Sequence, residues 1–182
     1  MLVKDIILES AIRLGVDEKV REVIEGRIPM CEEFELLLRC YNTVENEVAL
    51  DYIPLIIEEQ FETETGVIYY EQLSQKPIRI VKTKDAWDND IKCRIFPEYL
   101  KTQAGKITVC YACVPQEKTL EDESAFTQRV SKRLLVYGVL SEYCLASGLY
   151  EESAVWEKKY KDAVASAYRA KPAKRITARR WI

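Results

Sequence analysis

The sequence contains no histidine. Histidine is the general base in Ser-His-Asp and Cys-His nucleophile systems, and its imidazole is a common metal ligand. Histidine-dependent nucleophile systems and metal sites with imidazole ligands are therefore excluded. The six glycines also stand singly along the chain, so there is no Gly-rich loop to cradle a phosphate. These absences favour a protein that is not an enzyme and that needs no cofactor.

Long apolar runs are missing too. The longest, from Leu134 to Leu140, has seven residues, whereas a membrane-spanning helix needs about 20. We therefore expect no membrane partner. The chain of 182 residues is 48% hydrophobic and 31% charged, which is typical of one globular core, or of one core with an insertion.

Helical periodicity marks the first and last thirds of the chain. We expect a helix from Leu2 to Leu14 closed by Gly15, and a short one capped by Asp17 and ending at Gly26. Pro29 suits the first turn of a third helix, which Pro54 ends. The apolar stripe of the third helix is Phe34, Leu37, Leu38, Tyr41, Val44 and Val48. Two later stripes predict an antiparallel pair of helices joined at Gly148: Val130, Leu134, Tyr137, Leu140 and Cys144, then Trp156, Tyr160, Ala163 and Ala167.

Residues 55 to about 116 instead resemble short strands separated by turns. Ile91, Cys93 and Ile95 alternate with basic residues, as in a half-buried strand. Residues 88–90 are expected to turn the strand of residues 78–83 back onto this one. Residues 104–106 are expected likewise to join residues 99–102 with 107–114. The pattern predicts an antiparallel β unit.

The predicted fold class is α+β, a helical bundle with an inserted antiparallel β unit and an extended basic C-terminal arm. The helical domain would comprise residues 1–54 and 117–170. The β subdomain would comprise residues 55–116, and the arm residues 171–182.

Cys110 and Cys113 are the only cysteines at a spacing suited to redox or metal chemistry. They lie in a segment that reads as a strand, where residues three apart point to opposite faces. We therefore expect two buried structural thiols and no metal site. A thiol or zinc enzyme that uses this pair is one functional hypothesis, and it ranks third after the two that the end of the chain suggests below.

Several charged groups are interpreted as ordinary solvated surface. The acidic ones are Glu58 with Glu59, Glu62 with Glu64, and Glu121 to Glu123, on expected strand edges and loops. Lys158, Lys159 and Lys161 are expected on the polar face of the last helix.

The last twelve residues concentrate positive charge. The chain carries 27 basic and 30 acidic residues, and without this segment it carries 22 and 30, so the body has net charge −8 and the arm +5. Basic side chains would attract a partner, and an aromatic and an aliphatic residue would anchor it. The predicted partner-binding residues are Lys171, Lys174, Arg175, Arg179, Arg180, Trp181 and Ile182.

Three segments carry a resemblance to a known group of proteins. They are Ser141-Glu-Tyr-Cys-Leu-Ala-Ser-Gly-Leu-Tyr-Glu-Glu-Ser-Ala-Val-Trp-Glu-Lys-Lys-Tyr-Lys-Asp-Ala163, Ile176-Thr-Ala-Arg-Arg-Trp181 and Phe96-Pro-Glu-Tyr-Leu-Lys-Thr-Gln-Ala-Gly-Lys106. These segments and the layout of the chain resemble the head-to-tail connector (neck or adaptor) proteins of tailed bacteriophages and prophages. Those proteins are helical domains, sometimes with a β insertion, that form dodecameric rings beneath the portal.

The resemblance implies a structural virion protein of the phage neck, present in the host cytoplasm during assembly. Its implied partners are the portal protein, neighbouring copies in a ring and a downstream neck or tail protein, while DNA passes through the lumen without sequence-specific binding. The arm would dock on the portal or on a neighbouring copy. The alternative function is a small nucleic-acid-binding accessory protein that uses the basic C-terminal tail.

Overall fold

The computed structural model describes residues 1–169, with side chains through Ala167. Five α-helices are formed: α1 Val3–Leu14, α2 Asp17–Ile24, α3 Glu32–Glu47, α4 Lys132–Ala146 and α5 Tyr150–Arg169. Seven strands lie between α3 and α4: β1 Leu55–Thr63, β2 Val67–Tyr69, β3 Pro77–Lys84, β4 Asp90–Ile91, β5 Arg94–Ile95, β6 Tyr99–Lys101 and β7 Gly105–Cys113. The α+β class is thereby confirmed. Among these five helices, none is long and apolar enough to span a bilayer.

The chain divides into two compact units, and the division falls within α3. The helical unit contains residues 1–44 and the chain from Lys118 onward. The β unit contains residues 45–117. The predicted arm, residues 171–182, lies outside the described residues.

The first three helices follow the predicted pattern with small differences at their ends. Gly15 caps α1 in the left-handed conformation with φ 73°, as expected. Asp17 is the first helical residue of α2 and Val16 holds the cap position, so the prediction of Asp17 as the cap was wrong. Pro29 lies three residues before α3, not in its first turn. After α3 the chain makes one π-helical turn, Val48–Tyr52, before Pro54.

Helices α4 and α5 pack antiparallel. Ser141 and Ser153 hydroxyls each hydrogen-bond the other residue's carbonyl oxygen, at 3.4 and 3.0 Å. Farther from the connecting turn, the Tyr137 and Trp156 rings lie 5.6 Å apart. Positions that advance along α4 therefore meet positions that recede along α5, which confirms the predicted helical pair.

Helix α3 also runs opposite to α4. Val44, in the last turns of α3, lies beside Gly138 in the middle of α4, where an added Cβ would be 2.5 Å from Val44 Cγ1. Near the other end of α3, Glu33 adds to the effect of burial in raising the pKa of the Tyr143 phenol. The N-terminal end of α3 therefore lies beside the C-terminal end of α4.

The larger sheet of the β unit has the strand order β1-β7-β3-β4. β1 pairs antiparallel with β7 in unbroken register from Leu55 opposite Cys113 to Thr63 opposite Gly105. β3 pairs with the other edge of β7, with two register shifts that leave Ile78 and Val81 as bulged, exposed residues. β1 is an edge strand, and its side chains alternate between half-buried and exposed.

A second, three-stranded sheet has the order β2-β6-β5. The expected continuous strand through Ile91, Cys93 and Ile95 is divided, because β4 pairs with β3 while β5 pairs with β6 in the other sheet. The expected turn at residues 88–90 does bring β4 back onto β3. Residues 104–106 do not form a hairpin, because β6 and β7 belong to different sheets.

One apolar cluster forms the core of the β unit. Its members come from both sheets and from the segment between β2 and β3. The buried ones are Ile68, Leu73, Leu100, Ile107, Val109, Tyr111 and Cys113. Alternate residues of β7 therefore point into this cluster, as the period of a strand requires.

Candidate interaction surfaces

The seven predicted partner-binding residues, Lys171, Lys174, Arg175, Arg179, Arg180, Trp181 and Ile182, lie outside the described residues. The structure does describe the helix that leads to them. The last described turns of α5 lie beside the N-terminal end of α4, where Ala163, Ser166 and Ala167 line a groove together with Ser131 and Arg133. The predicted arm therefore continues the chain from this end of the helical unit.

The groove at this end is rich in positive charge. It has a volume of about 670 Å³. Its charged lining residues are three bases, Arg129, Arg133 and Lys159, and one acid, Asp162. The Ser131 hydroxyl accepts a 3.4 Å hydrogen bond from the Leu134 amide and caps α4. An anionic group is the ligand that this lining favours.

Two aromatic rings hold the cations of the groove in place. The Arg133 guanidinium donates a hydrogen bond to the Tyr137 hydroxyl and lies 5.2 Å from that ring's centre. The Lys159 ammonium lies 4.1 Å from the centre of the Trp156 ring. Both distances are within the range of cation–π attraction. Lys159 is exposed, as predicted, and its ammonium also packs against the Trp156 ring.

Two neighbouring cations, Arg13 and Lys132, share one acid. The Glu9 carboxylate on α1 lies 2.8 Å from the Arg13 guanidinium and 3.0 Å from the Lys132 ammonium. The hydrogen bond from Arg13 lowers the pKa of the Glu9 carboxyl, so it stays charged. Among the described ion pairs, none supplies an acid to Arg133 or Lys159. Arg133 and Lys159 are therefore placed to meet an anionic partner.

Sequence reasoning did not find this cluster. Arg133 and Tyr137 are four residues apart on α4, and Trp156 and Lys159 are three apart on α5, so each pair shares a helix face. That spacing is a usable signal within one helix. The meeting of the two pairs depends on the register at which α4 and α5 pack, which the periodicity of either helix does not specify.

Cys110 and Cys113 point to opposite faces of β7, as predicted. Cys113 belongs to the apolar core cluster, whereas Cys110 lies opposite Glu58 and Lys82 in the sheet register. Both residues are buried, and burial raises the pKa of each thiol. The arrangement does not bring the two sulfurs together at one site, and it disfavours a reactive thiolate. Among the described residues, no cluster of three or more Cys, Asp or Glu side chains is arranged to hold a metal ion.

The acidic group on β1 is less uniform than expected. Glu58 is exposed and lies 3.8 Å from Lys84. Glu59 instead accepts hydrogen bonds from the Ser74 amide and hydroxyl and from the buried Tyr111 hydroxyl. Burial raises the pKa of Glu59, but these hydrogen bonds outweigh burial, so the pKa lies below its ordinary value of 4.5. Glu59 is therefore a structural acceptor, not a solvated acid.

The acids at residues 121–123 hold the beginning of the chain. Glu121 pairs with Lys4 at 2.9 Å, and Glu123 lies 3.9 Å from the terminal ammonium. Asp122 accepts hydrogen bonds from the Thr119 amide and hydroxyl, both at 2.7 Å. These contacts fasten the loop before α4 to α1.

The β unit carries a groove of about 1010 Å³. Tyr69, Tyr70 and Phe96 line one part of it, and Ile78 and Ile80 of β3 line another. Its charged lining residues are Glu71, Glu98, Lys76 and Arg79, so the two signs balance. The groove is apolar and aromatic, and it lacks a convergent set of catalytic groups.

No protein-family model matches the chain, and comparison with curated proteins finds no match either.

Proposed function

We propose that this chain is a structural head-to-tail connector of a tailed bacteriophage, which forms a ring beneath the portal through which DNA passes. It acts in the neck of the virion and is present in the host cytoplasm during assembly. The order of the described elements supports this function: helices, then a β unit, then a helical pair that leads into the basic arm. The arm, residues 171–182, makes the docking contact, either on the portal or on a neighbouring copy in the ring.

The observation that carries the proposal is the basic groove at the end of α4 and α5. Arg133 and Lys159 extend the positive charge of the arm onto a folded surface. The rest of the chain is acidic, with net charge −8 outside the arm. A partner with an acidic surface is therefore drawn to one end of the helical unit. An acidic body also favours passage of DNA, because like charges prevent sticking.

The experiment is binding to the cognate portal, measured by sedimentation and imaged by negative stain. The full chain is expected to form rings on the portal. Truncation after Ala170 should abolish docking. Trp181→Ala should weaken docking at every salt concentration, by about 2 kcal/mol or more if the residue is a hot spot. Arg179→Ala with Arg180→Ala should remove the salt-sensitive part, which is screened over about 8 Å at physiological ionic strength.

A portal mixture without any larger species would contradict the connector function. Equal binding by the truncated and full chains would contradict the role of the arm. Circular dichroism of the truncated protein is the control, since all described core residues precede the truncation.

A second candidate function, nucleic-acid binding, is favoured by one observation. The Tyr137 and Trp156 rings lie beside Arg133 and Lys159, and aromatic rings combined with cations are typical of single-strand binding surfaces. A gel-shift with single-stranded DNA separates the two functions. If the full chain and the double variant Arg133→Ala with Lys159→Ala retain the DNA to different extents, nucleic-acid binding is favoured. If the DNA is not retained and the portal is bound, the connector function is favoured.

A further inference from the structure

The turn between α4 and α5 presents an exposed apolar patch. Leu145, Leu149 and Tyr150 are 50%, 44% and 70% exposed, and we call these three residues the turn patch. Leu145 ends the last full turn of α4, and Tyr150 begins α5. Neighbouring exposed apolar side chains of this size mark surfaces that are covered by a partner.

The surroundings of the turn patch are acidic. Residues 134–157 contain four acids and no base. The acids are Glu142, Glu151, Glu152 and Glu157. Glu142 lies three residues before Leu145 on the same helix face, while Glu151 and Glu152 follow Tyr150 directly. The N-terminal end of α3, which carries three more acids in its first turn, lies beside this end of α4.

The opposite end of the helical pair has the opposite charge. Residues 158–182 contain nine bases and one acid, Asp162. Because α4 and α5 are antiparallel, the acidic turn and the start of the basic arm are separated by the length of α5, about 30 Å at 1.5 Å per residue. The helical pair is therefore electrically polar from one end to the other.

We propose that the turn patch receives the C-terminal arm of a second copy of this chain, an inference that rests on the proposed connector function and names the contact between neighbouring copies. Arg179 and Arg180 pair with Glu151 and Glu152, while Trp181 and Ile182 cover the turn patch. The donor end and the acceptor end are different surfaces. Such an interface is heterologous and repeats head to tail, as a ring requires.

The length and charge of the chain favour a second copy over the same copy. Thirteen residues follow Arg169. To reach its own turn, the arm would have to reverse and run extended for about 30 Å, which uses about nine residues. That path would pass beside Lys158, Lys159 and Lys161, so bases would lie against bases. The turn of a second copy requires no reversal, and residues 134–157 around it contain acids and no base.

Charge reversal in full chains tests the contact. One variant carries Glu151→Lys and Glu152→Lys, and the other carries Arg179→Glu and Arg180→Glu. Self-association is measured by sedimentation velocity at low salt and high protein concentration. Each variant alone should associate at least about tenfold more weakly than the wild type, because like charges then face each other. An equal mixture of the two should associate as the wild type does, since each arm then finds a turn of opposite sign.

A matched control separates position from total charge. Glu64→Lys with Glu98→Lys changes the net charge by the same amount at exposed sites of the β unit, and it should leave association unchanged. Tyr150→Ser should weaken association at all salt concentrations. Val155→Ser, which removes another exposed apolar side chain from α5, should not.

The inference is overturned if the wild type does not associate, if the mixture is no stronger than either variant, or if the β-unit control is as weak as the turn variant. If the four reversals restore the contact between arm and turn only within a single monomeric chain, the arm lies on its own turn. That result also overturns the inference. Portal binding by the wild type is measured separately. Portal binding without rescue in the mixture removes this inference alone, whereas rescue without portal binding removes the connector function alone.

Discussion

The two units of this protein obtain their contacts in different ways. In the helical unit, α4 and α5 are consecutive and pack directly against each other, and Ser141 and Ser153 join them twelve residues apart. In the β unit, the last strand, β7, lies between β1 and β3. Glu59 of β1 accepts a hydrogen bond from the hydroxyl of Tyr111, which lies 52 residues later in the chain. A local pattern can therefore predict that consecutive helices such as α4 and α5 pack together, but it cannot choose a partner for a strand.

The same contrast appears at two crowded glycines. Gly138 lies in a regular helix, and it is crowded only by side chains, Val44 and Tyr160. Gly66 has φ +71°, and it is crowded by the backbone oxygen of Thr102, 2.2 Å from where a Cβ would be. Side chains can shift while a backbone carbonyl held in a sheet cannot, so the β unit should tolerate a methyl group less well.

Gly66→Ala should give the largest loss of stability. The left-handed backbone costs about 1–2 kcal/mol for an L side chain, and the clash with the Thr102 carbonyl adds about 1–3 kcal/mol of overpacking. The measurement is denaturant unfolding followed by circular dichroism. Gly26→Ala is the control, because its φ of +70° is nearly the same and no heavy atom lies within 4 Å of the new methyl. Equal losses at the two sites would mean that crowding by Thr102 has no effect.

Gly138→Ala should cost less, about 0–2 kcal/mol. Overpacking against Val44 costs about 1–3 kcal/mol, and the better helix propensity of Ala returns about 1 kcal/mol. Val44→Ala removes the crowding atoms, so the double variant should lose less stability than the sum of the single losses. Strict additivity in this double-mutant cycle would show that Gly138 is not limited by Val44.

Glu59→Gln should cost about 1 kcal/mol at neutral pH, because a charged acceptor of three hydrogen bonds is replaced by a neutral one. The folded pKa of Glu59 lies below its ordinary value. Its contribution is therefore fully present above the unfolded pKa and is lost as the pH falls through the folded pKa. Unfolding at a series of pH values should show the wild type and the variant converging on the acid side.

The control for this pH dependence is Glu64→Gln. Glu64 is exposed, and the described hydrogen bonds and ion pairs do not include its carboxylate. The stability difference between Glu64→Gln and the wild type should stay small and constant with pH. If the stability difference between Glu59→Gln and the wild type grows as the pH falls, the charged form of Glu59 does not stabilise the fold.

Lys159→Ala should give the smallest effect, about 0.5–1 kcal/mol, since it removes cation–π contacts with the Trp156 and Tyr137 rings at an exposed site. Lys158→Ala is the matched control on the same helix, since the described ring contacts include Lys159 but not Lys158. Thermal unfolding of the two variants at equal ionic strength is the measurement. Equal destabilisation would mean that the Trp156 ring does not hold Lys159.

Much of the fold followed from local patterns. The apolar stripe of α3 and the glycine after α1 predicted helices that the structure contains. The change to strand periodicity predicted the β region, and the three-residue spacing of Cys110 and Cys113 predicted their opposite faces. The ends of elements were less predictable. Pro29 and Asp17 have several suitable positions near a helix start, and packing rather than propensity selected one.

The candidate site divides in the same way. The basic arm is visible in the sequence because five of its twelve residues are basic and none is acidic, although it lies outside the described residues. The groove that adjoins it is not visible. Arg133 and Lys159 are 26 residues apart, and they become neighbours only because α4 and α5 pack antiparallel with their rings in contact.

The sequence by itself determined the helical and strand segments, the acidic body, the basic arm and the lack of imidazole chemistry, because each is a property of neighbouring residues or of composition. Only the tertiary structure decided that β4 and β5 enter different sheets, that β7 lies between β1 and β3, and that Arg133 and Lys159 lie over the same Tyr137 ring. Those outcomes depend on contacts between distant residues. Their free energies are set by the burial of shared apolar surface and by the pairing of backbone groups, which no local window of the chain contains.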